Sequence, residues 1–143
     1  MSLIWQLMKP TFSQDEDWGD PSKITHILLF TMYRIRLATA QSIHIHNAWT
    51  DGKGHTDGSE HYKGNATDFH FTKISLKVAI PLLEKTILDL GIADEIGLGI
   101  YPYWNSPGFH LDCRGKKSRW GRLAGDKEYV SYEEARKIAF KIG

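Results

Sequence analysis

The sequence predicts an α+β fold in which a small, mainly antiparallel sheet is flanked by helices. Three observations predict it. Capped stretches of helical periodicity lie near residues 20–38, 75–90 and 131–141. Short runs with strand character lie at 42–49, 65–71, 96–101 and 109–114. The two kinds of segment follow one another without regular βαβ alternation, which argues against a parallel, doubly wound sheet. A length of 143 residues fits one domain, 1–143, around one core.

The first ten residues carry an apolar run that Gln6 interrupts and Lys9 ends. They lack a basic leading region and are not read as a signal peptide. Residues 11–20 are acidic and polar and are read as a loop. Asp20 followed by Pro21 is a helix start, a capping carboxylate with proline at the first helical position. Ile24, Ile27, Leu28, Phe30, Met32, Ile35 and Leu37 carry that helix to about Ala38. From Ser42 to Trp49, Ile43 and Ile45 alternate with His44 and His46, as in a half-buried strand. Residues 50–60, rich in glycine, are read as a loop, and Asn65 to Phe71 as a second strand. A helix follows, starting near Ser75 or only after Ile80 because of Pro81, and ending at Leu90 before Gly91. Ile96–Tyr101 and Phe109–Arg114 are two further strands, joined by a turn through Pro102, Asn105, Pro107 and Gly108. Ser131 and Glu134 form a capping box that opens a last helix to about Lys141.

Composition bounds the function. The formal charge of +1 gives no electrostatic reason to expect nucleic acid or an acidic membrane as partner. No apolar stretch is long enough for a membrane span. Synthesis in the cytoplasm is therefore expected, with release to the cell wall or association with a phage if the substrate lies outside. The single cysteine, Cys113, excludes an internal disulfide and a cysteine-rich zinc site. No sequence signal bears on oligomeric state.

Two segments carry candidate chemistry. On a strand, His110 and Asp112 point to the same face, roughly 6–7 Å apart, with Arg114 continuing the row and Leu111 and Cys113 facing the core. If His110 binds a metal, Asp112 faces the same space and is placed to reach a metal-bound water. Taken alone, the row also fits a solvated strand face. Upstream, His61 lies in a loop that ends at Gly64, and Asp68 on the strand after it, with Ala66 leaving room on the same face. Two imidazoles and a carboxylate suit zinc better than calcium or magnesium, which prefer oxygen donors. Such a set leaves a fourth position for water, the arrangement a zinc hydrolase needs.

Other polar residues are weighed separately. His44 and His46 share a strand face and are candidates to line a cleft. His70 is a candidate to orient a ligand. His55 is read as a loop residue, His26 as a helix residue, and Cys113 as a core thiol. Asp51 and Asp57 lack the acidic pattern of a calcium loop. Tyr101, Tyr103 and Trp104 suit either a cleft wall or the core.

These residues resemble a known family. Ser59-x-His61-x-x-Gly64-x-Ala66-x-Asp68 is similar, position for position, to the SxHxxGxAxD motif of the zinc D-alanyl-D-alanine carboxypeptidases. That family includes D-Ala-D-Ala dipeptidases and phage L-alanyl-D-glutamate endopeptidases, and it shares its fold with the hedgehog domain. Gly108-Phe109-His110-Leu111-Asp112-x-Arg114, with Arg119-Trp120 soon after, resembles the second zinc motif of the phage-type branch. The likeness covers roughly residues 40–122.

The resemblance implies a hedgehog/DD-peptidase-like fold, Zn2+ as cofactor, and His61, Asp68 and His110 as its ligands. It implies hydrolysis of peptide bonds in peptidoglycan stem peptides, in the manner of a carboxypeptidase or an endolysin. This sequence departs from the pattern twice. No carboxylate precedes His110 between Trp104 and Phe109, so Asp112 is the expected general base, assisted by Arg114 as a catalytic cation. No arginine stands in Ile45–Thr50, so substrate anchoring is expected from Ser59, His46 and Lys63, or from Arg114. Because the hedgehog fold also holds zinc without hydrolysing peptides, a non-catalytic binding or phage structural module is the alternative.

Overall fold

The computed structural model describes residues 2–51, 58–123 and 128–142. Among the described residues, four helices accompany a mixed six-stranded sheet. The helices are α1 (Leu3–Met8), α2 (His26–Thr39), α3 (Leu76–Asp89) and α4 (Tyr132–Ile142). The strands are β1 (Ile43–Asn47), β2 (Ala66–Phe71), β3 (Gly97–Tyr101), β4 (Gly108–Asp112), β5 (Ser118–Arg122) and β6 (Tyr129–Val130). Their order across the sheet is β1-β2-β4-β3-β5-β6. Among the described strands only β3 and β5 pair in parallel, so the expected antiparallel character holds for the other neighbours. The loop reading of residues 50–60, with His55 and Asp57, falls largely outside the described residues. No helix among the described residues is long and apolar enough to cross a membrane.

Local chemistry explains where elements start. Asp20 caps a short 3₁₀ turn, Pro21–Lys23, rather than the long helix expected from it. Its carboxylate reaches only two residues ahead, accepting from the Ser22 amide at 2.9 Å. Helix α2 begins instead behind Thr25, whose Oγ1 accepts from the Leu28 amide at 3.2 Å. Helix α3 begins at Leu76 with Ser75 as cap and carries Pro81 within it. The hydrogen bond lost to Pro81 would have reached Lys77, on the exposed side of the helix, so water can replace it. At α4, Ser131 Oγ accepts from the Glu134 amide at 3.1 Å, as the capping box predicts.

The sheet has two unlike faces. On one, Phe69, Phe71, Leu98, Ile100, Phe109 and Leu111 join buried residues of α2, α3 and α4 in one hydrophobic cluster. This burial is the main source of stability. The acidic segment 11–20 also feeds the cluster. Phe12 and Trp18 are buried within it, which a polar reading of that segment does not anticipate. The opposite face carries Asp68, His110 and Asp112 on adjacent strands, with Gly97 and Gly99 beside them on β3. A β-carbon at Gly99 would stand 2.7 Å from the indole of Trp120, so the missing side chain makes room for that ring.

Candidate metal centre

Backbone pairing sets the first part of the site. Asp68 on β2 lies directly opposite His110 on β4, which brings an imidazole and a carboxylate together from residues 42 positions apart. His61 enters from a short 3₁₀ turn, Glu60–Lys63, between β1 and β2. Ser59 Oγ opens that turn by accepting from the His61 amide at 3.2 Å. Gly64 closes it in the left-handed region, at φ +69°.

Gly64 has a second reason to be glycine. A β-carbon there would stand 1.8 Å from the Lys23 carbonyl oxygen. The Thr25 amide also donates to the Gly64 carbonyl at 2.9 Å. Gly64→Ala is therefore expected to cost ~2 kcal/mol or more, from left-handed backbone in a non-glycine residue together with a backbone clash. Thermal or urea unfolding checks this, and a loss under ~0.5 kcal/mol would contradict the close approach.

His61, Asp68 and His110 are all buried, and their donor atoms form a small triangle. His61 Nε2 lies 3.3 Å from His110 Nδ1 and 3.4 Å from Asp68 Oδ1. His110 Nδ1 lies 3.1 Å from the same carboxylate oxygen. Tetrahedral zinc, with bonds of about 2.0–2.1 Å, separates neighbouring ligand atoms by about 3.3–3.4 Å. The triangle thus matches one face of such a tetrahedron.

The hydrogen bonds behind each ring make the same point. His61 Nδ1 lies 2.6 Å from the Ala48 carbonyl oxygen. A carbonyl only accepts, so Nδ1 carries the proton and Nε2 turns its lone pair into the triangle. His110 Nε2 lies 2.7 Å from Asp112 Oδ2. An ionised carboxylate only accepts, so Nε2 of His110 carries a proton and it is Nδ1 that turns to the triangle. The gap between these three atoms can be closed by a proton on His110 Nδ1 shared with Asp68, and the same three groups could hold a metal ion. The donor set disfavours calcium and magnesium and is compatible with zinc and other imidazole-binding metals.

Electrostatics follow from this packing. Burial alone would push the His110 pKa down, but Asp112 and Asp68 reverse this and raise it to about 9. Burial works to raise the pKa of Asp68, and the neighbouring imidazoles, His110 first and then His61, outweigh it, leaving that carboxyl well below its usual range. Asp112 shifts down as well, since Arg114 and His110 outweigh its burial.

The geometry does not give Asp112 the position expected of a general base. Asp112 is fully buried, and its Oδ2 meets His110 on the ring edge opposite the triangle. Arg114 is turned to the same carboxylate, with Nε 2.8 Å from Oδ1 and Nη2 2.7 Å from Oδ2. Its guanidinium is thus held by Asp112 rather than aimed at an oxyanion. The strand rule correctly put His110, Asp112 and Arg114 on one side, but it carries no information about which ring edge faces the triangle.

An open cleft of about 620 Å³ reaches the triangle at Asp68. His44, His46, His70 and Trp104 line it, with Asn105 from the β3–β4 connection. His46 Nε2 lies 2.5 Å from His70 Nδ1, and the His46 ring packs against Trp104 at 5.2 Å. Burial, followed by repulsion from neighbouring imidazoles, lowers the pKa of both His46 and His70. His70 therefore pairs with His46 and does not orient a metal-facing ring. That work falls to the Ala48 carbonyl and Asp112, and a backbone acceptor leaves no mark in a sequence. Among the expected anchors, His46 lines the cleft. Ser59 serves as the cap described above, and Lys63 pairs with Glu60 at 2.8 Å. Cys113 lies behind β4 beside Thr31 Oγ1, its thiol pushed up to about 11 by burial.

Comparison of the chain with protein-family models, curated proteins and solved structures gives no match.

Proposed function

We propose that the protein is a zinc-dependent peptidase that hydrolyses peptide bonds in peptidoglycan stem peptides. The observation that carries this reading is the convergence of His61 Nε2, Asp68 Oδ1 and His110 Nδ1 at tetrahedral spacing beside an open cleft. The likeness of Ser59 to Asp68 and of Gly108 to Arg114 to the two motifs of the zinc D-alanyl-D-alanine carboxypeptidases supports the substrate class, and the hedgehog/DD-peptidase fold is proposed with it. A zinc ion held by these three groups supplies Lewis acidity, polarising a carbonyl and lowering the pKa of a water. The chain's own residues do the rest. Trp104 offers an apolar wall and Asn105 an amide to a peptide lying in the cleft. His46, kept neutral by burial beside His70 and Trp104, offers an acceptor for the proton of the attacking nucleophile.

Incubation of purified peptidoglycan with the zinc-loaded protein tests this. Mass spectrometry is expected to find new amino and carboxyl termini within stem peptides. They should be absent with His61→Ala and form about 10²-fold more slowly with His46→Ala, in line with loss of a general base. No new termini from the zinc-loaded protein would sink the hydrolase reading. A second reading, a zinc-holding module without hydrolytic activity, draws on one observation. The carboxylate expected to act as base is buried behind His110 and does not line the cleft. Zinc binding without cleavage would select it.

A further inference from the structure

We propose, resting on the metal-binding reading above, that Asp112 is a positioning residue for His110, held to that task by Arg114, and not the proton acceptor of the reaction. The two nitrogens of His110 sit on opposite edges of its ring. Nδ1 faces Asp68 and His61 at 3.1 and 3.3 Å, while Nε2 meets Asp112 Oδ2 at 2.7 Å. With the proton on Nδ1 instead, the Nε2 lone pair would press against an anionic oxygen, and the triangle would lose a donor. Asp112 thereby selects the tautomer that ligates.

Three further features are built around that carboxylate. It is fully buried, a state an anion keeps only when charge and hydrogen bonds compensate it. Arg114 compensates it through two parallel contacts of 2.8 and 2.7 Å, and the Arg114 amide adds a third at 3.3 Å. The Arg114 guanidinium is in turn stacked on Trp120, 5.1 Å from the ring centre. On the neighbouring strand, a β-carbon at Gly97 would fall 2.6 Å from each Asp112 oxygen and 2.8 Å from Arg114 Nε. The sheet thus leaves a side chain out where this ion pair sits. A chain of contacts runs from Trp120 through Arg114 and Asp112 to His110, and ends at the metal-facing nitrogen. A base must instead reach the attacking group, and here the whole imidazole stands between.

The test uses the full chain, with zinc alone as the probe. In zinc-loaded, ¹⁵N-labelled wild-type protein, long-range ¹H–¹⁵N correlation is expected to show His110 protonated at Nε2 and metal-shifted at Nδ1. Competition with a chromophoric chelator is expected to give one zinc per chain, with Kd raised about 10–100-fold in Asp112→Asn and in Arg114→Ala, the usual effect of losing an outer partner. At saturating zinc, Asp112→Asn is expected to release peptide from peptidoglycan within tenfold of the wild-type rate. Unchanged zinc affinity with more than 100-fold lost turnover would overturn the proposal in favour of a proton acceptor, and so would a proton on Nδ1. If Asp112→Asn fails to fold by circular dichroism, the wild-type tautomer alone decides. A wild-type chain that takes up no zinc would defeat the metal reading and this assignment with it. That outcome differs from a wild type that binds zinc while the variants bind equally well.

Discussion

His61→Ala is expected to abolish stoichiometric zinc binding and, with it, all peptide release above background. Among the described residues, His61 supplies one of three protein donors to the triangle. Its ring cannot be replaced locally, because it is brought in by a short turn fixed at both ends, by Ser59 and by Gly64. Alanine would leave a buried gap, an Ala48 carbonyl without its donor, and two donors where a metal needs three. The loss of affinity should therefore far exceed the roughly 10–100-fold that outer partners cost. Equilibrium dialysis at equimolar zinc, followed by elemental analysis, measures it. An equimolar zinc content in the variant would refute the assignment of this site.

The second large effect is that of pH on metal affinity. In the metal-free protein the proton takes the place of the cation. The pKa of His110 is raised to about 9, so at pH 7 its Nδ1 is protonated and must lose that proton before it can ligate. Asp68 is shifted the other way and stays ionised throughout this range. Zinc affinity should thus fall about tenfold for each unit of pH from about 9 down to 7. Binding at pH 7 should release about one proton from His110, and this release should fade above pH 9. Titration calorimetry in two buffers of different ionisation enthalpy measures both. An affinity that is flat across this range would mean that Nδ1 of His110 is not a ligand atom. The same proton stabilises the metal-free fold. Because the folded pKa is raised, that contribution is complete below the ordinary histidine value of about 6.5 and is lost as pH rises through about 9.

Much of the architecture is legible in the sequence because it is written locally. Ser75 and Ser131 announce their helices, and Ile43 and Ile45 alternate with histidines as a half-buried strand must. The three residues of the triangle could be named from motif and spacing, and the structure brings them together. What could not be read depends on partners distant in the chain. Strand β5, Ser118–Arg122, is half-exposed and polar, and it becomes a strand by pairing in parallel with β3. The paired Arg119-Trp120 hinted at a site there but not at a strand. Trp18 sits in an acidic stretch yet is buried among Trp5 and Phe12. Most consequential is the placement of Asp112. Strand geometry gives the side a residue is on, but the edge of a ring that meets it is decided by whatever else fills the space, here the Arg114 fork and the gap at Gly97.

The two histidines of the triangle are held by different kinds of partner, and this bears on how the site can change. His61 leans on the main-chain oxygen of Ala48, which every amino acid carries, so no exchange at position 48 deletes the acceptor itself. His110 leans on the side chain of Asp112, which one nucleotide change can remove. Over generations the first histidine is insulated from drift at its support, while the second is adjustable. If the triangle holds a metal as proposed, variation in the strength of that grip should arise on the Asp112 side of the site.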